Sequence, residues 1–167
     1  TECVGDSADT VEAVVIALVD DTGEIKEVDK GGAARMVVNQ TTFYAESGGQ
    51  IGDTGTVDWD GGRARVTDTV KTPSGLFVHY LDVQEGLLTT NLAVRLQIDA
   101  TRRLRLRANH SATHLMHEAL RNVLGDHVSQ KGSMVSATRL RFDFSHPKAV
   151  SAEELAKVQA IVNDRIR

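Results

Sequence analysis

The chain has 167 residues, 41% hydrophobic and 25% charged, which is an ordinary soluble composition with room for one sizeable domain or two small ones. Four Phe, two Tyr and one Trp are too few for a surface of successive base-stacking aromatics, and nineteen basic against twenty-three acidic residues, net charge −4, exclude indiscriminate coating of nucleic acid while allowing a local basic patch. A single cysteine, Cys3, excludes an intrachain disulfide framework, and no apolar run is long enough to span a bilayer, so the expectation is a cytoplasmic protein with no membrane partner.

The chain opens with Thr1-Glu2-Cys3-Val4-Gly5-Asp6, without an initiator methionine or a basic n-region, and so reads as no signal peptide. Short strands are expected over 11–19, 24–28, 35–38, 55–59, 63–70, 76–81 and 92–98. Turn clusters such as Asp21-Thr22-Gly23, Lys30-Gly31-Gly32, Asp60-Gly61-Gly62 and Thr72-Pro73-Ser74-Gly75 separate them. This spacing predicts a small β-barrel over residues 1–98. Inside it, 42–55 carries four glycines in eight residues around Gly48-Gly49-Gln50. Such a loop either makes a tight crossing in the barrel or brings backbone close to a ligand.

From Ala100 the period becomes helical through about Leu124, two short strands follow near 133–135 and 139–144, and Ser151 with Glu154 forms a capping box that opens a second helix. This half, 99–167, reads as a two-layer α/β core, and no linker separates it from the barrel. The overall class is α+β. The last residues, up to Arg167, stop within a helical pattern without a cap, so both ends are expected to be cuts from something longer.

At about 100° per residue, His110, His114 and His117 fall within roughly 60° of one another. Ala112, Leu115, Met116, Ala119, Leu120 and Val123 centre on nearly the opposite face. Histidines four apart can share a metal, and they are also what a solvated helix face offers. Gln130 falls in a polar turn, Val128-Ser129-Gln130-Lys131-Gly132-Ser133. Arg141 and Asp143 alternate with Leu140, Phe142 and Phe144 as on a solvated strand face. The dense basic run Arg102, Arg103, Arg105 and Arg107, with Lys131 beyond it, suits either phosphate pairing or a solvated helix start. Leu104 and Leu106 interrupt it as in an element half packed and half exposed.

Three blocks also resemble one family: Asn109-His110-Ser111-Ala112-Thr113-His114, then Gln130-Lys131-Gly132-Ser133, then Leu140-Arg141-Phe142-Asp143-Phe144-Ser145-His146. They are similar to the editing domain of the alanyl-tRNA synthetases, class II enzymes whose editing domain belongs to the threonyl/alanyl second additional domain superfamily. The loop around Gly48-Gly49-Gln50 is a further block of that likeness, although the tripeptide alone is also the one that peptide-chain release factors present. The resemblance covers about 34–167 and is densest over 109–146.

The resemblance implies that 99–167 is the first part of a zinc-dependent editing core, truncated at its C-terminal end. His110 and His114 would be metal ligands and Thr113 and Gln130 catalytic-pocket residues. Gly48, Gly49 and Gln50 would form a substrate loop, and Arg102, Arg103, Arg105, Arg107 and Lys131 would contact tRNA specific for alanine. The family completes its zinc site with a later C-x-x-x-H motif, which these 167 residues lack, so the implied site is incomplete, with Cys3 and His117 as bystanders. ATP, magnesium and alanine ligation would belong to a catalytic domain of the parent synthetase outside this chain, and the isolated segment is expected to be inactive. The implied reaction is hydrolysis of seryl- or glycyl-tRNA, the second sieve for an activation pocket of limited discrimination. A free-standing trans-editing deacylase and a non-catalytic tRNA-binding module are the alternatives.

Overall fold

The computed structural model describes residues 1–4 and 8–166, so the expectations placed on Gly5, Asp6 and Arg167 lie outside the described residues. The elements run β1 (Glu2–Cys3), β2 (Thr10–Asp20), β3 (Gly23–Ile25), β4 (Glu27–Asp29), β5 (Ala33–Val38), β6 (Gln40–Thr41), β7 (Gly55–Trp59), β8 (Gly62–Lys71), β9 (Phe77–Glu85), β10 (Leu87–Thr89), β11 (Ala93–Ile98), α1 (Ala100–Leu124), β12 (Gln130–Val135), β13 (Leu140–Phe144) and α2 (Ala152–Ile166). They form two compact units, Thr1–Ser47 with Ile51–Arg103, and Gly48–Gln50 with Leu104–Arg167. The division falls between Arg103 and Leu104, inside α1, and the tip of the glycine loop groups with the second unit.

The first unit is a closed antiparallel barrel of six strands. The order β11-β7-β8-β9-β5-β2 is sealed by pairing of β11 back to β2, from Ala93↔Val14 to Gln97↔Thr10. Closure leaves those strands no open edge. Period-two patterning makes the interior: Val94, Leu96 and Ile98 of β11 point inward between exposed Ala93, Arg95 and Gln97. Val15, Leu18, Met36, Val38, Phe43, Val57, Val66, Leu81, Leu88 and Leu96 are all within 2% of complete burial and form one continuous cluster.

The outer face carries a rung of alternating charge, Glu12↔Arg95↔Asp58↔Arg63↔Glu85, across five strands. Arg95 and Glu12 are 3.8 Å apart, and Arg63 pairs with Asp58, which raises its pKa through that hydrogen bond and charge. Opposite charges facing each other across strands favour this register.

Residues 24–28, expected as one strand, are two. Gly23–Ile25 pairs with β2, whereas Glu27–Asp29 pairs with β10 in a separate ribbon whose Val28 and Leu88 join the barrel core. The strands β1, β6 and β10, two or three residues each, lie below the length at which alternation can be read.

Asp99 caps α1: its Oδ1 accepts from the Arg102 N–H at 2.9 Å. The helix stops at Gly125, whose φ of +119° suits a left-handed C-terminal cap and whose N–H reaches the Arg121 carbonyl at 2.9 Å. In the second unit β12 and β13 form a hairpin with a bulge between Gln130 and Gly132. The α2 capping box is formed as predicted: Ser151 N–H donates to Glu154 Oε2 at 2.9 Å and Glu154 N–H donates to Ser151 Oγ at 3.1 Å. The core here is Ala119, Leu120, Val128 and Val158, with Met116, Val123, Phe142, Phe144, Ile161 and Val162 packed on it. Ala112 and Leu115, expected on the apolar face of α1, stay outside that cluster and are half-buried.

Candidate active site

A cavity of about 140 Å³ in the second unit is lined by Gly48, His110, Thr113, His114, His117, Gln130, Ser133, Val135 and Phe142. Helical spacing brings the α1 side chains to it. At positions 0, 3, 4 and 7, His110, Thr113, His114 and His117 share one face, and Asn109 Nδ2 fastens that stretch to the Ser136 carbonyl at 2.7 Å. The His110 and His114 Nε2 atoms are 3.0 Å apart, one ring nitrogen donating to the other. Two imidazoles on a tetrahedral zinc hold their ligating nitrogens about 3.3 Å apart, given Zn–N bonds of about 2.0 Å. The pair therefore fits two positions of such a site. Among the described residues no group of three or more His, Cys, Asp or Glu could hold a metal, so the remaining ligands are not supplied by these side chains.

His117 is half-buried rather than solvated. Its ring packs on Phe142 with centroids 5.0 Å apart, and its buried Nε2 has no partner among the described residues, as is also true of His110 Nδ1. Thr113 is buried and its hydroxyl donates to the Asn109 carbonyl at 2.9 Å, which leaves the oxygen lone pairs and the methyl group for the cavity.

Gln130, expected in a turn, is the first residue of β12, opposite Phe144 and beside the bulge. A bulge re-aims the flanking side chains, and Gln130 Nε2 donates to Ser133 Oγ at 3.1 Å. Ser133, which sequence reasoning left without a role, thus orients Gln130 and also reaches the Gly48 carbonyl at 3.5 Å. Regular strand alternation would put Ser133, three residues on, on the opposite face from Gln130, and only the bulge between Gln130 and Gly132 brings the two together.

The loop tip joins this site through its backbone. The Val135 N–H donates to the Gly49 carbonyl at 2.7 Å, and Gln50 bridges to Val135. Gly49 has φ +83°, and a Cβ there would lie 2.5 Å from the Ser133 carbonyl oxygen, so only glycine fits. Gly48 lines the cavity, whereas Gln50 is buried and serves the backbone pairing.

The basic run divides. Arg105, Arg107 and Lys131 are exposed. Arg102 donates to the Gly52 carbonyl at 2.8 Å. Arg103 is buried in the barrel unit, where its guanidinium pairs with Asp53 and donates to the Thr42 carbonyl. Its side chain is turned away from solvent, a placement that neither sequence reading of the run, phosphate pairing or a solvated helix start, included. The packing of this stretch inverts intuition, with Leu104 two-thirds exposed and Arg103 buried. Arg141 reaches Asp143 at 3.2 Å on an exposed face, as expected for that strand. Cys3 is exposed and free. No helix among the described residues is long and apolar enough to cross a membrane.

Comparison with known proteins defines the class. Residues 1–102 match the family described as tRNA synthetases class II (A), and the chain belongs to that family. Within it the likeness is to alanine–tRNA ligases. The chain is 52% identical to the alanine–tRNA ligase of Ruegeria sp. (strain TM1040) over 167 residues, all of this chain and 19% of the relative. It is 52% identical to that of Rhizobium meliloti (strain 1021) over 166 residues, 99% of this chain and 19% of the relative. The enzyme of Rhodopseudomonas palustris (strain ATCC BAA-98 / CGA009) is 53% identical over 164 residues, 98% of this chain and 18% of the relative. The chain thus spans about a fifth of the length of the curated relatives it matches.

Proposed function

We propose that this segment hydrolyses the ester of seryl- or glycyl-tRNA specific for alanine, as the editing site of an alanine–tRNA ligase. The observation that carries the reading is the convergence of His110, His114, Thr113, Gln130 and Gly48 on one small cavity. Its volume of about 140 Å³ suits the aminoacyl group of a small amino acid rather than a large one. ATP-dependent ligation of alanine to tRNA would be the work of other parts of the enzyme.

His110 and His114 would hold zinc together with ligands from a C-x-x-x-H motif elsewhere in the parent protein. When bound, zinc supplies Lewis-acid polarisation of the ester or orientation of the attacking water. The remaining chemistry follows from this chain. Thr113, its proton given to the Asn109 carbonyl, accepts from the seryl hydroxyl or the ammonium group. Gln130 is held by Ser133 so that its amide oxygen can accept from the same groups. The methyl of Thr113 and the ring of Phe142 exclude water from one wall. No strained nucleophile elbow of the Gly-x-Ser-x-Gly type occurs in the sequence, and the reading is direct attack by water. Exposed Arg105, Arg107 and Lys131 are the side chains available to pair with tRNA phosphate.

The test compares this chain with a version extended past the C-x-x-x-H motif. Two imidazoles leave at least one protein ligand missing from a catalytic zinc site, so the short chain should bind zinc weakly and leave seryl-tRNA intact, and the extended one should bind it stoichiometrically and deacylate. In the extended protein His110→Ala should abolish zinc retention, and Gln130→Ala should lower deacylation by about tenfold or more. Tight stoichiometric zinc in the short chain, or unchanged hydrolysis in both variants, would refute this assignment.

A further inference from the structure

Sparing alanine is the hardest demand on the proposed hydrolysis. Alanine differs from serine by one hydroxyl and from glycine by one methyl group, and an apolar pocket discriminates little across either. The ammonium group is common to all three, so contacts to it from Thr113 and Gln130 separate none of them. A polar atom that this hydrolysis does not use lies in the same cavity. His117 lines it beside Thr113, Ser133 and Phe142, and the His117 Nε2 is buried without a partner among the described residues. Phe142 supports the ring, with centroids 5.0 Å apart, and is itself held by stacking on Phe144 at 6.2 Å and by its place opposite Ser133 in the hairpin.

From this geometry we infer that His117 is a specificity-determining residue whose Nε2 reads the seryl hydroxyl and so turns alanine away. The inference rests on the ester-hydrolase reading above. A seryl hydroxyl satisfies Nε2 in either tautomer, donating to the bare nitrogen or accepting from the protonated one. Glycine, without a side chain, leaves space in a cavity of about 140 Å³ for a water to do the same, since a water takes up about 30 Å³. Alanine puts a methyl group there, which displaces the water and leaves Nε2 unpaired. One buried nitrogen thus accounts for acceptance of a smaller and of a more polar amino acid and for rejection of the one between them. A site built to hydrogen-bond a hydroxyl discriminates far more sharply than apolar size does.

The test measures deacylation of seryl-, glycyl- and alanyl-tRNA by the zinc-loaded protein extended past the C-x-x-x-H motif. His117→Phe keeps an aromatic ring on Phe142 and removes the nitrogen. It should lower kcat/KM for seryl-tRNA by about tenfold, lower that for glycyl-tRNA as well, and raise that for alanyl-tRNA by up to about tenfold, so that the preference for serine over alanine falls by about a hundredfold. His117→Gln, whose amide again offers a donor and an acceptor, should keep most of that preference. Equal losses on all three substrates, or an unchanged serine-to-alanine ratio in His117→Phe, would overturn the inference and leave the hydrolase reading standing. No hydrolysis of seryl-tRNA by the unsubstituted protein would overturn that reading and this inference with it. Where the Phe variant fails to fold, the ring ¹⁵N resonance of His117 in the unsubstituted protein decides. L-serinamide should move it and L-alaninamide should not, and the same response to both would overturn the inference.

Discussion

The barrel and the second unit solve the same problem to different degrees. The barrel seals itself through β11 and β2, and its one fully buried histidine is satisfied. Because neutral His79 donates from Nδ1 to the Met36 carbonyl at 3.2 Å, its Nε2 accepts from the Thr41 hydroxyl at 2.9 Å. The second unit packs two helices on a two-stranded hairpin and leaves the His110 Nδ1 and His117 Nε2 in a cavity without partners among the described residues. The barrel too buries two atoms without partners among the described residues, Thr42 Oγ1 and Arg103 Nη1, so what sets the second unit apart is that two of its own line one cavity with Thr113 and Gln130. Under the proposed reading, that clustering of polar groups around a cavity is what would let the second unit carry the chemistry.

The largest effect that would test this contrast is loss of the barrel's buried ion pair. Asp53→Ala strands the Arg103 guanidinium and leaves the Tyr44 N–H without its acceptor, at a cost of about 4 kcal/mol in urea unfolding. A loss below about 1 kcal/mol would mean that water reaches the pair and that the barrel is less closed than described.

His79 gives a pH-dependent test. Burial pushes its pKa down from the ordinary 6.5 to about 4, against the smaller opposing pull of the Met36 carbonyl. Above pH 6.5 both folded and unfolded chains hold it neutral and it contributes no slope. As pH falls toward 4 the unfolded chain takes up the proton first, so the barrel loses up to about 3 kcal/mol across that window. His79→Leu should lack this component of the slope. An unchanged pH profile in that variant would refute the assignment.

In the second unit, Gly49→Ala forces a side chain into the left-handed region and against Ser133. It should cost about 2 kcal/mol locally, raise hydrogen exchange at the Val135 amide and leave barrel amides protected as before. Uniform loss of protection would erase the distinction between the units. The smallest effect is expected for Asp99→Ala, which removes the cap of α1 and should cost about 1 kcal/mol by thermal or urea unfolding.

Local patterning made much of this protein legible from its sequence. Alternation fixed the long strands, helical period fixed α1, and Ser151 with Glu154 announced α2, because each is written within a few neighbouring residues. The spacing of His110 and His114 likewise placed them on one face, and the resemblance supplied the candidate roles of Thr113 and Gln130. Tertiary structure decided what no local period encodes. Barrel closure depends on β11 meeting β2, and 24–28 divides because Val28 finds Leu88 in a distant strand. Arg103 turned inward to Asp53, fifty positions away, because a buried carboxylate there outweighs the usual exposure of arginine. His117 became a cavity residue because Phe142, from another element, packs beneath its ring. Sequence patterns report which face of an element a residue occupies, and only the packed chain reports what that face meets.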